Sequence, residues 1–547
     1  MPWGAAEPLP TRRAADAAQA FGAYAILTAF AFWPLAAAPA RMGFPNPDTY
    51  GNTWAMAWVV HQARVDPLHL YDANVYYPHE KSLAFTESLL PEALQAAPIR
   101  MLGGSPLLAH NLVLLLSFPL CGLGAYLLAR EMSGSRAGAF IAGLGFTFCA
   151  YRFDHLVHIQ SLSIQWLPLA LLYLLKAVRT GRPAHLLALL GFAVLQALSS
   201  GYYAVLLVPA LGIPLLQAWL DPAHRRGAVR AAAVLACAGA LTLLAVWPAW
   251  QAQRRHGLYR GSAEVIHWSA RWRSYLEPGR YAAWPHLRAL QRWSHDPEPL
   301  YPGLVILALA VPGLAQARRS EPARLAVMLT AAGLLLSLGP EVRVGPWIVP
   351  GPYDLLRLLP GASALRTPSR LGILTALGLD LLAAIGWARL SLHLPRPRPV
   401  AAAVAVAALA ELWPSGLAGS IREVPAPPAT ARWLAAAPRG PVFELPWADE
   451  GDGGLYAYWS TVHWQPMVNG WGAFAPHDDI GLRGLGGRWP TPYTAGVFRE
   501  SGIRYIVVHT DRVSPGQRRR IAADPLPYAV RVAADLGPDR IYVIDPE

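Results

Sequence analysis

The chain has 547 residues, 54% of them hydrophobic and only 15% charged, with a formal net charge of +12 and a mean hydropathy of +0.28. Soluble globular domains carry about 25% charge, so this composition excludes an ordinary water-soluble protein together with the disordered, collagen-like and disulfide-scaffold classes. All but two of the 46 basic residues, Lys81 and Lys176, are arginine, and no helix-turn-helix, zinc-finger or RNA-binding signature accompanies them, so no nucleic-acid partner is expected.

A bilayer core of about 30 Å takes about 20 apolar residues per helix. Charge-free runs of that kind predict about eleven spans: 20–40, 105–129, 137–153, 159–175, 184–199, 201–220, 231–250, 300–317, 323–339, 370–388 and 399–416. The run 183–220 is too long for one helix, and Ser199-Ser200-Gly201 divides it into a hairpin. Arg12-Arg13, an apolar run and Ala36-Ala37-Ala38 imitate a secretory signal, but the run exceeds a signal core, so an uncleaved span is expected. Cys121, Cys149 and Cys237 are scattered in apolar stretches and read as small buried hydrophobes.

Short cytoplasmic connections retain Lys and Arg. With the N-terminus inside, segments 1–19, 130–136, 176–182, 221–230, 318–324 and 389–398 hold sixteen basic and five acidic residues, which leaves the rest of the chain near neutrality. The long connections 41–104, 251–299 and 340–369, and everything after about 417, then fall outside. The expected fold class is a polytopic α-helical membrane protein with a C-terminal extracytoplasmic α/β domain. Its parts are a transmembrane region, 1–420, and the external domain, 421–547, in a cytoplasmic (inner) membrane.

In the first external loop, Asp48 sits within Asn46-Pro-Asp-Thr-Tyr-Gly51, just beyond the first span. Trp54, Trp58 and His61 share one face of a helix over 53–64, read as amphipathic and lying on the membrane surface. A second such helix is expected over 89–101, with Glu87 and Glu92 near its start. The next external turn carries Arg152, Asp154, His155 and His158; the imidazoles have a zinc-like spacing, but no cysteine or third ligand stands nearby. Loop 251–299 holds eight arginines against four acids. Asp380 and Glu411 lie within the last two spans, where carboxylates are costly and mark either a site or a structural pairing. In the external domain, 430–437 and 494–500 read as helices and 440–445, 505–509 and 541–544 as strands. The aromatics Tyr456, Tyr458, Trp459, Trp464 and Trp471 read as core before they read as sugar-stacking faces.

This plan resembles the GT-C superfamily of integral-membrane glycosyltransferases. The likeness rests on the spans, the large first loop with an Asp soon after the first helix, two helices in that loop and an external C-terminal domain. Stretches Tyr76-Tyr-Pro-His79, Gly145-Phe-Thr-Phe-Cys-Ala-Tyr-Arg152, His155-Leu-Val-His158, Leu365-Arg-Thr-Pro-Ser-Arg370 and His463-Trp-Gln-Pro-Met-Val-Asn-Gly470 are similar to bacterial members. The resemblance implies transfer of a sugar from a polyprenyl-phosphate-linked donor to an extracytoplasmic glycan, lipid or protein, with inversion and with Asp48 as general base. Glu87, Asp154, His155 and His158 would support that residue, and Arg255, Arg271, Arg366 and Arg370 would bind the donor phosphate. The sequence departs from members that carry two adjacent acids: Asp48 is followed by Thr-Tyr. A divalent metal is therefore not predicted, and no cofactor is expected. A lipid-linked glycan flippase and a non-catalytic envelope-assembly protein of the same fold are the alternatives.

Overall fold

The computed structural model describes residues 10–294, 298–344, 346–447, 450–476, 479–522 and 525–546. The first nine residues of the expected cytoplasmic segment 1–19 lie outside the described residues. A helix occupies each of the eleven apolar stretches. They are α1 (Pro10–Ala31) and, beyond the loop helices α2 (Pro47–Val65) and α3 (Leu90–Met101), α4 (Pro106–Ser133), α5 (Arg136–Phe148), α6 (Trp166–Thr180), α7 (Pro183–Ser199), α8 (Gly201–Leu220), α9 (Arg225–His256), α10 (Leu304–Leu314), α11 (Glu321–Ser337), α12 (Ile373–Leu390) and α13 (Pro397–Leu412). Among the described residues, six helical stretches are long and apolar enough to cross a membrane: 106–133, 159–180, 201–220, 225–256, 368–393 and 397–420. The other five are shorter or, for α1, less apolar. The hairpin break falls where the sequence puts it, with the Ser200 side chain capping α8 by accepting from the Tyr202 N–H.

The chain divides into two compact units: residues 1–38, 111–247 and 259–421, and residues 39–110, 248–258 and 422–547. Packing thus groups the first loop with the C-terminal region, although the loop lies between the first two apolar stretches in sequence.

In the first unit α12 is buried along almost its whole length, flanked by α5, α10 and α11. Small residues let the backbones touch. A Cβ on Gly313 would stand 2.1 Å from the Leu382 carbonyl oxygen, and one on Gly386 1.9 Å from that of Leu309, a reciprocal α10–α12 contact of the kind membrane helices use in place of hydrophobic collapse. Asp380 on α12 occupies the notch left by Gly145 on α5, where a Cβ would meet its Oδ1. Glu411 has a structural role. Its carboxylate accepts from the N–H groups of Leu304 (2.7 Å) and Val305 (3.1 Å) and from the Tyr301 hydroxyl (2.6 Å). It therefore satisfies the orphan donors at the start of α10. Glu411→Ala should strip that cap at a cost of about 3 kcal/mol, read as a lower unfolding temperature in detergent, and Glu411→Gln, which keeps one acceptor oxygen, should recover part of the loss.

The second unit is built on a mixed sheet of β1 (Val442–Leu445), β2 (Tyr505–His509), β3 (Val530–Leu536) and β4 (Asp539–Ile544), in the order β1-β2-β4-β3. β1 and β2 run parallel; β4 is antiparallel to both β2 and β3. Every residue of β1 and β2 is buried, which is why neither alternates between an apolar and a solvent-facing side. Helices α14 (Ala429–Ala436), α15 (Glu450–Ser460) and α16 (Pro492–Glu500) accompany the sheet. The core joins Leu434, Val442, Tyr456, Met467 and Val507 to Tyr50 of the first loop.

Candidate active site

Asp48 lies in the first turn of α2, half-buried. Asn46 caps that helix, its side-chain oxygen accepting the Asp48 N–H at 2.9 Å, and Pro47 occupies the first helical position. The carboxylate thus stands at the end of the helix where unpaired N–H groups favour negative charge.

The helix behind it is not a surface-lying amphipathic element, as the Trp54/Trp58/His61 face suggested. Residues Thr49 through Val60 are all buried, because the C-terminal segment covers the other faces as well. Trp54 Nε1 donates to Asn74 Oδ1 at 2.9 Å, Trp58 Nε1 donates to the Leu70 carbonyl, and His61 stacks on Trp464 at 4.3 Å. Gly51 faces the Trp471 indole, where a Cβ would stand 2.1 Å from the ring. A helix buried on all sides shows no single apolar stripe.

Two of the similar stretches prove to be halves of one interlock. The N–H groups of Tyr76 and Tyr77 donate to the carbonyls of Asn469 and Met467, and the Met467 N–H donates back to that of Asn74. Asn74 also donates to Ser460 Oγ and the Gln465 carbonyl, both at 3.1 Å. Gly470 lies against Tyr76 and Gly472 against the Phe85 backbone, so neither position has room for a side chain. Glu87, half-buried, follows this turn, and Glu92 is fully buried in α3. Arg255 is exposed in the last turn of α9, whose His256 packs edge-on or tilted against His79 and Phe85. Tyr456, Tyr458, Trp459 and Trp471 are buried and serve as core.

The other expected residues belong to the first unit. Asp154 ends a short turn, Ala150–Asp154, and pairs with Arg280 of the 251–299 loop at 3.2 Å. Burial raises its pKa, with Arg280 opposing. His155 is buried, stacks on Tyr151 at 4.2 Å and has Nδ1 2.9 Å from the Tyr151 carbonyl. Burial, then the Arg370 charge, holds its pKa well below the ordinary imidazole value, so it is neutral at pH 7, with Nδ1 as the donor nitrogen. His158 lies 5.6 Å away, ring to ring.

Arg366 stands just before the turn Pro368–Gly372, Arg370 lies within it, and both touch Tyr202. The Arg366 N–H donates to the Tyr202 hydroxyl at 3.1 Å, and the Arg370 guanidinium lies 4.6 Å from its ring. Arg366 is also tied to Glu264 at 3.2 Å, a carboxylate shared with Arg260 at 3.1 Å. Arg271 is exposed at the start of the turn Trp272–Leu276, its N–H donating to Ser274 Oγ. The structure therefore gathers Asp154, His155 and His158 on one turn and Arg366 and Arg370 on another, while Arg271 stands at a third. Arg280 and Glu264 were not singled out by sequence, since nothing local distinguishes them in an arginine-rich loop.

Sequence reasoning also missed a buried ionic row. His509 on β2 bonds Asp539 Oδ1 on β4 through Nδ1 (2.8 Å) and Glu444 Oε2 on β1 through Nε2 (2.9 Å), and all three are buried. With both ring nitrogens engaged, the imidazole has none left for a ligand. Among the described residues, no group of three His, Cys, Asp or Glu side chains is arranged to hold a metal ion.

The fold is similar to that of membrane-embedded transferases of known structure. Arabinofuranosyltransferase AftD from Mycobacteria superimposes with a TM-score of 0.59 and 19% identity, covering 99% of this chain but only 40% of AftD. The chain thus spans less than half of that protein's length. ArnT from Cupriavidus metallidurans gives 0.49 and 14% identity over 97% of this chain and 98% of its own, and the oligosaccharyltransferase AglB from Archaeoglobus fulgidus gives 0.49 and 12% over 90% and 69%. No curated protein matches by sequence. Residues 21–413 match the family described as a domain of unknown function, DUF6311, and the chain belongs to it.

Proposed function

We propose that this chain is a membrane glycosyltransferase that moves one sugar from a polyprenyl-phosphate-linked donor to an extracytoplasmic glycan, lipid or protein of the cell envelope. The observation that carries the reading is the placement of Asp48: a carboxylate in the first turn of a capped helix, soon after the first apolar stretch, in a GT-C fold. As general base, Asp48 takes the acceptor's hydroxyl proton while that oxygen attacks the anomeric carbon from the side opposite the carrier phosphate, inverting the centre. The leaving phosphate gains charge as the bond breaks, and preorganised cations offset it. Arg370, held over Tyr202, and Arg366, pinned by Glu264, suit that role, because a guanidinium presents a planar fork of donors to phosphate. His155, neutral and oriented by the Tyr151 carbonyl, supplies a polar group that adds no charge. Glu87 is the candidate to support Asp48, His158 and the Asp154–Arg280 pair are candidates to support Arg366 and Arg370, and Arg255 and Arg271 are further candidates for phosphate binding. The proposed site is an inner membrane with the C-terminal domain outside, and no metal is required.

The test is a transfer assay on the full chain reconstituted in lipid, with a panel of polyprenyl-phosphate sugars, the pentofuranosyl donor first because AftD bears that name. Appearance of a glycosidic product with inverted configuration is the expected result. Net passage of a labelled lipid across the vesicle without such a product would replace this reading with the flippase, and neither passage nor product would leave the assembly role.

A further inference from the structure

A further cavity lies within the first unit. It has a volume of about 330 Å³ and is walled by Leu174 and Val178 of α6, Pro214 and Ala218 of α8, and Leu325 of α11, a size that falls in the range of small-molecule sites, roughly 300–1,000 Å³. Arg179, His224 and Glu321 supply its polar edge. The first two are held in place: Arg179 by Glu131 at 3.0 Å, His224 by Asp221 at 2.8 Å.

Around this edge gather the connections 176–182, 221–230 and 318–324. The start of α9 packs on the end of α6 so closely that a Cβ on Gly227 would stand 1.9 Å from the Val178 carbonyl oxygen, and Arg230 reaches Gly181. Together the three connections hold nine basic residues against two acids, Asp221 and Glu321. Arg182, Arg225, Arg226, Arg230, Arg318, Arg319 and Arg324 are exposed. Apolar walls favour a hydrocarbon chain over a free ion, since a dry apolar surface is covered with gain only by another apolar surface. The arginine rim favours a negative headgroup.

We propose that this cleft between α6, α8 and α11 binds one anionic membrane phospholipid, an acyl chain between the helices and the headgroup phosphate on the basic rim. The site is independent of the transfer chemistry.

The experiment uses the purified full chain in phosphatidylcholine nanodiscs, titrated with phosphatidylglycerol or with inorganic phosphate. Retained lipid is counted by native mass spectrometry. Phosphatidylglycerol should be retained at one per chain and raise the unfolding temperature by about 2–4 °C; inorganic phosphate should do neither. Ala218→Trp, which fills the cleft, should abolish retention and shift. Arg226→Glu with Arg230→Glu should lower the preference for phosphatidylglycerol over phosphatidylcholine roughly tenfold, and it decides the matter should the tryptophan variant not fold. Equal retention of both lipids by the unaltered chain, an undiminished shift in Ala218→Trp, an undiminished preference in the charge-reversed variant, or the same shift with phosphate alone would overturn the proposal.

Discussion

Asp48→Asn should lower kcat/KM for sugar transfer by roughly 10²–10⁴-fold while the chain remains folded. The amide has the shape of the carboxylate and leaves the helix start intact, because the cap that fixes α2 runs through the Asp48 backbone N–H and the Asn46 side chain. What it lacks is an oxygen able to take a proton as the acceptor hydroxyl becomes a nucleophile. Donor binding should survive, so the loss should fall on kcat rather than on the donor KM. The comparison needs the unfolding temperature of both proteins and the initial rate with whichever donor the panel identifies. Unchanged turnover in a folded Asp48→Asn protein removes Asp48 as the base. Asn46→Ala gives a useful contrast. It deletes the cap and costs about 1 kcal/mol of stability, with a rate effect that should follow any displacement of the first turn.

Elements whose signal is local were legible in the sequence. The break at Ser200 follows from a charge-free run too long for one helix, and β2 was delimited at Tyr505 and His509, its residues all buried and bounded by turn residues. The eleven apolar stretches were placed by the same reasoning. Their helices extend eleven to 32 residues, and apolarity alone does not tell a crossing helix from one packed inside a bundle. Strand β3 was not read, since it runs along the sheet edge with half-exposed residues and no clean alternation. Helix α2 was placed but misassigned to a surface. Its apolar face suggested a membrane neighbour, whereas the partners that bury it, Trp464 and Trp471, lie some 400 residues downstream.

The candidate site divides in the same way. Asp48, Asp154, His155, Arg366 and Arg370 stand out because polar residues at the edges of apolar runs are costly and few. Their partners do not. Arg280 is one of eight arginines in its loop, and Glu264 becomes notable only once Arg260 and Arg366 are seen to share it. Glu411 is the converse case. Its depth in an apolar stretch left a site and a structural pairing both open, and its partners, two backbone N–H groups and a tyrosine hydroxyl, identify a helix cap.

Replacing His509 should cause the largest loss of stability of any single substitution considered for this chain. Burial alone would lower its pKa, but the hydrogen bonds the ring donates to Asp539 and Glu444, and their charges, outweigh that effect and hold the imidazolium up to about 9. Because the folded value lies above the unfolded one of about 6.5, the charged ring stabilises the fold fully below that pH. The contribution, roughly 3 kcal/mol for a shift of this size, fades as pH rises from there through about 9. His509→Gln keeps two hydrogen-bonding ends but no charge, so Glu444 and Asp539 remain buried on one sheet face with nothing to neutralise them. Breaking a buried pair in this way costs about 3–5 kcal/mol. Trp459 lies edge-on to His509 at 5.3 Å. Unfolding of the full chain at pH 6, 8 and 10, together with hydrogen exchange of the β2 amides, should show the unaltered protein losing protection in this sheet between pH 6 and 10. His509→Gln should be less protected at pH 6 and nearly independent of pH above it. A variant as stable as the parent at pH 6, or a parent whose β2 protection does not change up to pH 10, would show that the imidazole is neutral in the fold and that the row is held by hydrogen bonds alone.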